Sequence, residues 1–427
     1  MRLYLAHLHR FTREARLFLA ALVIFAFAAS VPAVFFNLYL QTLGFDRTFL
    51  GITTTAAELG GALFSIPAAG LLDLIGRRRA MLIGASVTIA CTTATLLTTH
   101  EPLIIATQAI SGCGGVLYAL AVVPLLAESS TPVERTALFS TTDGLTTLSL
   151  FFGSLIAGAL PSLIAPWLHS GPESATVYRA VMLASLVFRG LGLLPLGLIQ
   201  DHATALPPGV PRRRTISYFD PRVFLHLETP IWRLALPVLV CYTAGSLIFP
   251  FLNVYLKQRF NASDVSIGFV LGMINLSIGV CTIFGPLAAQ AFGRVRVVVA
   301  GALLSAACLL WVMLGNAYGL VAFLMIVRAG LFNMSLPLYK AYVIDHTPPH
   351  EYAVVNLIYT TATNVGPTIA PPASGYVQDR AGFGPLFAVV VTLYALSAAL
   401  FHWAAGTSGR EIAGDNQPGR GGIGVNG

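Results

Sequence analysis

The chain has 427 residues, of which 56% are hydrophobic and only 10% charged, and its mean hydropathy is +0.76. A water-soluble globule carries about a quarter of its residues charged, so this composition excludes one and points to a protein dissolved in lipid. The formal net charge of +7 does not mark a nucleic-acid binder, because the basic residues are gathered in a few short loops and tails.

A helix needs about 20 apolar residues to cross a bilayer. Twelve stretches meet that demand, at 17–40, 48–75, 80–98, 102–127, 136–164, 177–199, 231–256, 264–291, 296–315, 317–344, 354–377 and 383–405. The first follows Arg2, Arg10, Arg13 and Arg16 and runs well past the length of a secretory signal core, so it reads as an uncleaved helix. With the N-terminus inside, 17 of the 25 Lys and Arg residues fall in cytoplasmic loops and tails, and five (Arg47, Arg179, Lys257, Arg259, Arg380) fall outside. That bias fixes orientation and accounts for the high pI through contact with anionic headgroups. The expectation is a monomeric multi-pass protein of a bacterial cytoplasmic membrane, with both termini inside, the bilayer as its surroundings and no nucleic-acid partner.

The first predicted span ends in Phe36-Asn37-Leu38-Tyr39-Leu40. The second carries Glu58 on a stripe with Thr54, Gly61 and Ser65, spaced as one helical face. A charge at the bilayer centre costs roughly 2.5–3.5 kcal/mol on insertion scales, so Glu58 needs a reason. It is either a proton-carrying carboxylate or a hydrogen-bonded structural acid. The loop from Ala69 to Arg79 packs Asp73, Gly76, Arg77, Arg78 and Arg79 between two spans, which makes a cytoplasmic hairpin. Gly60-Gly61, Gly114-Gly115 and the pair Gly153 and Gly158 allow helices to approach closely.

The fifth span carries Asp143 and the sixth Arg189. If these helices are adjacent, the two form a buried ion pair, and protonation of Asp143 would break it. The tenth span places Ser335, Tyr339 and Tyr342 within about 40° of Arg328 around the axis, while Lys340 and Asn333 share another face. Arg328 and Lys340 are candidates to hold an anionic solute. The plainer readings are an ion pair for Arg328 and a snorkelling side chain for Lys340. The five cysteines all fall inside spans and read as packing residues. Neither a hydrolase triad, a phosphate loop nor metal-ligand spacing is present in the sequence, so we expect no enzyme activity, no cofactor and no metal.

The chain repeats itself at an offset of 217. Gly51 pairs with Gly268, Gly76 with Gly293 and Glu134 with Glu351, and Glu58 meets Asn275. The motif around Asn37 returns as Leu252-Asn253-Val254-Tyr255-Leu256. A half-length repeat with six spans each means two bundles of like orientation, related by an axis along the membrane normal. Their expected bounds are 1–199 and 231–405, joined by a Pro- and Arg-rich linker at 200–230 and followed by a disordered Gly-rich tail at 406–427. The symmetric Asn37 and Asn253 suggest hydrogen bonds across an outer gate, with helix-end capping as the alternative.

The hairpin resembles the loop 2–3 signature of the major facilitator superfamily, Gly-x-Leu-x-Asp-x-x-Gly-Arg-Arg, matched by Leu71, Asp73, Gly76, Arg77 and Arg78, with Ala69 in place of the first glycine. Glu128 and Arg135 likewise resemble the Glu-x6-Arg pattern of its loop 4–5. The resemblance implies an all-α membrane fold of twelve helices in two pseudo-symmetric bundles, with a cavity lined mainly by helices 1, 4, 7 and 10. It also implies that Asp73, Gly76, Arg77, Arg78, Glu128 and Arg135 belong to a cytoplasmic gate. The second copy is degenerate, with Gln290 for the acid and Val295 for an arginine. Gln108 stands where proton-coupled drug exporters carry an arginine, and Ser154 where they carry a proline.

The sequence therefore reads as a secondary transporter of a small solute, coupled to protons through Glu58 or Asp143, with export of a drug-like compound or metabolite slightly favoured. Its rivals are an uncoupled facilitator or uptake carrier of an organic anion or sugar-like solute, and a receptor or scaffold that keeps the fold without transport.

Overall fold

The computed structural model describes residues 11–130, 134–200, 231–348 and 351–415. The linker expected at 200–230 lies, apart from its first residue, outside the described residues. Twelve long helices are present among the described residues: α1 (Arg13–Thr42), α2 (Arg47–Ile75), α3 (Arg77–Leu97), α4 (Glu101–Glu128), α5 (Arg135–Ile164) and α6 (Ala175–Leu191) form the first lobe. In the second, α7 begins at Ile231–Ile248 and resumes as Leu252–Phe260 after a 3-10 turn at Phe249–Phe251. It is followed by α8 (Asp264–Phe292), α9 (Arg294–Leu314), α10 (Tyr318–Asp345), α11 (Tyr352–Ala381) and α12 (Gly384–Asp415).

Eleven of these helices are long and apolar enough to span a bilayer. The exception is α11, which carries Thr360, Thr361, Thr363 and Asn364 and three internal prolines. It packs between α2 and α7, so protein rather than lipid receives part of its polar surface. The last helix continues to Asp415, ten residues into the stretch expected to be disordered.

The packing repeats with the sequence. In the first lobe α4 packs on α2 and α3, and α1 on α5 and α6; in the second α10 packs on α8 and α9, and α7 on α11 and α12. The lobes meet where α2 crosses α11 and α5 crosses α8. Turn geometry repeats too. Gly76 (φ 84) and Gly293 (φ 86) both join helix to helix in the left-handed region that favours glycine. Glu134 and Glu351 both stand at the N-cap positions of α5 and α11.

Because the number of crossings is even, both ends of the bundle lie on one face. That face carries Arg77, Arg78, Arg79, Arg135, Arg294 and Arg296, and is called here the basic face. On the far face and down to mid-depth the lobes touch closely. A Cβ on Gly51 would strike the Pro371 carbonyl of α11, and one on Gly158 would meet Gly268 of α8 at 3.1 Å. Gly60 of α2 has the same role within a lobe, against the Ala109 backbone of α4, whereas Gly115 has open space beside it. On the basic-face halves of α2 and α8, large apolar side chains stay exposed, among them Leu63, Leu74, Ile283 and Phe292.

Candidate functional site

In the first lobe α1 and α4 pack on flanking helices rather than closely on each other, which leaves a cleft backed by α3 and α6. It holds a cavity of about 300 Å³. Glu58, Thr54 and Ala57 enter from α2, Pro32 and Phe36 from α1, and Thr88 and Thr92 from α3. Gln108 and Ser111 enter from α4 and Arg189 from α6. Glu58 is exposed to this space. Thr54, Thr88 and Thr92 donate their hydroxyl protons to carbonyls of their own helices, so they offer acceptors to the cavity. Donors are supplied by the Gln108 amide, the Ser111 hydroxyl and the Arg189 guanidinium. The Arg189 side chain lies 5.9 Å over the Phe25 ring, and its Nε and the nearby Tyr118 hydroxyl are buried without hydrogen-bond partners.

The expected Asp143–Arg189 pair does not form. The premise was that α5 and α6 are neighbours, but α6 packs mainly on α1, and this turns Arg189 into the Glu58 cavity. Asp143 is exposed on α5, outside the residues lining that cavity. Asn275, the repeat partner of Glu58, donates to Leu271 O of its own helix at 3.1 Å and does not mirror the acid.

In the second lobe the position equivalent to Ser111 holds a buried arginine. Arg328 is 1% exposed, with its guanidinium 3.8 Å from the Phe249 ring centre and 5.6 Å from those of Phe332 and Tyr394. Its Nε and Nη2 are buried without hydrogen-bond partners, as is the Tyr394 hydroxyl. No carboxylate among the described residues forms an ion pair with it, so the acid expected on another helix is not there. Each cation–π contact is worth about 0.5–2 kcal/mol, which offsets the cost of a charge at this depth without satisfying the N–H groups. Ser335 and Tyr339 are buried on the same side of α10; Tyr339 donates to Leu234 O at 2.6 Å. They border a separate void of about 30 Å³. Lys340 is exposed on another face. Phe332 follows Arg328 by four residues, a spacing that places the two side by side on a helix and was available to sequence reasoning.

Two further constellations join the lobes at the far face. Asn37 of α1 donates to Pro250 O in the break of α7, and Asn253 of α7 donates to Val34 O of α1 at 2.7 Å. These are interlobe bonds, not caps of their own helix ends. At one corner Asp379 of α11 accepts from the Arg47 and Thr48 amides and the Thr48 hydroxyl, at 3.1, 2.9 and 2.7 Å, so an acid from one lobe caps a helix of the other. At the opposite corner the buried Asp264 accepts from the Tyr178 hydroxyl and from Lys257 at 3.0 and 3.1 Å, and Lys257 also pairs with Glu173. Sequence reasoning missed both corners. Their only trace was the placing of Arg47 and Asp379, and of Lys257 and Asp264, at span ends on the same face.

On the basic face, four contacts among the described residues stay within lobes. Arg77 Nε lies 3.0 Å from Glu128 Oε1, Arg78 donates to Gly197 O, and Arg135 donates to Ala127 O at 3.2 Å. Arg294 pairs with Asp345. Asp73 is exposed at the end of α2, beside the Gly76 turn.

Two six-helix lobes with matching internal packing, a polar cavity at mid-depth in the first and interlobe contacts gathered at one face define a polytopic membrane transporter fold. The sequence model of the Major Facilitator Superfamily matches residues 17–241 and again 234–421, and the chain belongs to that family. No curated protein sequence matches it. Among solved structures it is similar to the nucleoside transporter NupG, with a TM-score of 0.73 and 13% identity over 92% of this chain and 99% of that one. It is also similar to a D-xylose-proton symporter (0.69, 14%, 91% and 96%) and to a bacterial homologue of the iron transporter ferroportin in an inward-facing state (0.71, 13%, 92% and 98%). At such identities the likeness is one of fold.

Proposed function

We propose that this protein is a proton-coupled secondary transporter that moves a small polar solute by alternating access, with Glu58 as the proton carrier. The observation that carries this reading is an ionisable carboxylate at mid-helix, outside any ion pair among the described residues, facing a polar cavity in a bundle closed at one face. Asp143, the other candidate, stands outside that cavity. The family's known structures include a D-xylose-proton symporter, so such coupling is within the fold's repertoire.

The basic face is taken as cytoplasmic by the positive-inside rule, with both termini inside, in a bacterial inner membrane. The state described is then inward-facing. Asn37 and Asn253 act as an outer latch. Asp73, Gly76, Arg77, Arg78, Glu128 and Arg135 form the inner gate; they bond within one lobe here and leave Asp73 free to meet the other lobe when that face closes. A proton crossing 100 mV releases about 2.3 kcal/mol, and each pH unit adds about 1.4 kcal/mol.

The test uses proteoliposomes with an imposed pH gradient, screened for solute-driven proton movement across nucleosides, sugars and small carboxylates. For a solute that responds, Glu58→Gln should abolish gradient-driven accumulation and leave counterflow exchange in place. Accumulation at the wild-type level in Glu58→Gln would remove the assignment. Flux indifferent to pH would mark a facilitator, and binding without counterflow a receptor.

A further inference from the structure

We propose that the Arg328–Tyr394 cluster of the second lobe is a binding site for a monovalent anion, supplied either as a halide from solution or as the carboxylate of the transported solute. Arg328 is 1% exposed and Tyr394 0%. Guanidinium Nε and Nη2 and the tyrosine hydroxyl are all buried without hydrogen-bond partners, and all three are donors. The rings of Phe249, Phe332 and Tyr394 surround the guanidinium and occupy none of these donors. The other groups interacting with it electrostatically are Cys241 of α7 and Cys308 of α9, and neither is a carboxylate.

Arginine does not give up its proton in a protein, so the charge is permanent. A cluster that holds one fixed positive charge and offers only unused donors is complementary to an acceptor bearing one negative charge. A dianion would leave net charge in an aromatic enclosure. Gly245 stands beside the hydroxyl, and a Cβ there would crowd the tyrosine oxygen at 3.3 Å, so the absence of a side chain keeps that donor uncovered.

The repeat gives the site its place. Ser111 and Pro32, which lie 217 residues before Arg328 and Phe249, both line the Glu58 cavity. The guanidinium thus occupies in the second lobe the depth at which the first lobe holds its carboxylate. An acid on one lobe and a base on the other, at equivalent depths, suit a solute carried as an anion together with a proton. The carboxylate source rests on the transport reading above; the halide source needs only the geometry of the second lobe.

The experiment is thermal unfolding of the purified full-length protein, titrated with sodium bromide, chloride, acetate and benzoate, with sodium sulfate as the ionic-strength control. Wild type should show a saturable rise in Tm with at least one monovalent anion. Tyr394→Phe, which keeps the aromatic wall and removes one donor, should weaken that apparent affinity about tenfold or more, and Arg328→Gln should abolish it. Saturation by halides alone assigns a resident ion; a carboxylate that competes with bromide assigns the solute's own group. Shifts that fail to saturate, or that are equal in wild type and Tyr394→Phe, overturn the proposal even if Arg328→Gln does not fold. The same titration in Glu58→Gln reads the anion site separately from proton coupling, so one can fail without the other.

Discussion

Asn37 and Asn253 each spend a side-chain N–H on a backbone carbonyl of the opposite lobe. A hydrogen bond of this kind is worth about 0.5–1.5 kcal/mol net, so the pair biases the lobes toward far-face closure without fixing them there. Asn37→Ala with Asn253→Ala should therefore raise the population open at the far face by roughly ten- to a hundredfold. Thr54→Cys, placed in the Glu58 cavity, would report this as faster labelling by an impermeant maleimide added from that side. An unchanged labelling rate would mean that the two bonds are incidental to closure.

The corner around Asp264 ranks three further residues. Asp264 is 5% exposed and Glu173 55%. Removing Lys257 leaves a buried carboxylate without its cation, a loss of about 3–5 kcal/mol. Removing the Tyr178 hydroxyl costs one donor to a charged acceptor, about 1–3 kcal/mol. Glu173 is wet, and its pair contributes about 0–1 kcal/mol. Thermal unfolding should order the variants Lys257→Met, Tyr178→Phe, Glu173→Gln from most to least destabilised. A Glu173→Gln variant as unstable as Lys257→Met would contradict this reading of burial.

At this scale the repeat made Asn37 and Asn253 legible, because two identical residues at equivalent helix ends invite a shared role. Arg189 was not legible. Its depth followed from counting residues, but its direction depended on which helix α6 packs against, and chain order suggested α5 when the answer is mainly α1. Arg47 and Asp379 are 332 residues apart, and nothing local to either announces the other.

Among elements, the glycines of α2 and α8 decide how near two helices can come. Gly60 serves packing inside one lobe, against the Ala109 backbone of α4. Gly158 and Gly268 serve contact between lobes, where α5 crosses α8. The same substitution should thus have two different effects. Gly60→Val overpacks a permanent contact and should cost about 1–3 kcal/mol of stability, seen as a lower Tm. Gly158→Val obstructs a contact that alternating access must break, so it should leave Tm closer to wild type and favour the state open at the far face. Equal losses of stability from both, with no change in far-face labelling, would argue that α5 and α8 never separate.

The spans themselves were legible because lipid imposes a length and a polarity on each helix, and most observed ends fall within a few residues of the expected ones; α6 stops early at Leu191 and α12 runs on to Asp415. The break of α7 was not. Pro250 sits in the 3-10 turn Phe249–Phe251, yet other prolines, such as Pro67 and Pro124, are accommodated inside continuous helices. In a helix break carbonyls lose their donors four residues on, and what then donates to them is tertiary; the Val254 amide turns to Asn253 Oδ1 instead of Pro250 O. Here Pro250 O receives Asn37 from the other lobe, and Phe249 lies flat against Arg328. The break is thereby tied both to the outer latch and to the buried cation of the second lobe.

For the whole molecule, the alternating access proposed above requires closure at one face and release at the other to be one motion of the two lobes. Among the described residues the polar contacts that would need to break lie in the far half: the two asparagine bonds, the Asp379 cap of α2, the Arg47 bonds to Gln378 O and Gln258, the Thr55 hydroxyl on Thr368 O and the Asp264 corner. Partly exposed pairs such as Arg47 and Asp379, with side chains 24% and 26% exposed, are individually weak, which suits a joint that opens and recloses. Holding that joint shut by a covalent bond should then arrest the cycle. The pair Thr48→Cys with Asp379→Cys, whose native side chains lie 2.7 Å apart, can be placed in a background where the five native cysteines are replaced by alanine, with Thr54→Cys added as reporter. Under oxidation the cavity should accept no impermeant maleimide from the far side while remaining reachable from the basic side, and reduction should restore access from both. Labelling from the far side that persists in the oxidised protein would show that the Glu58 cavity has a route to that face independent of the lobes, and that the two halves do not move as bodies about it.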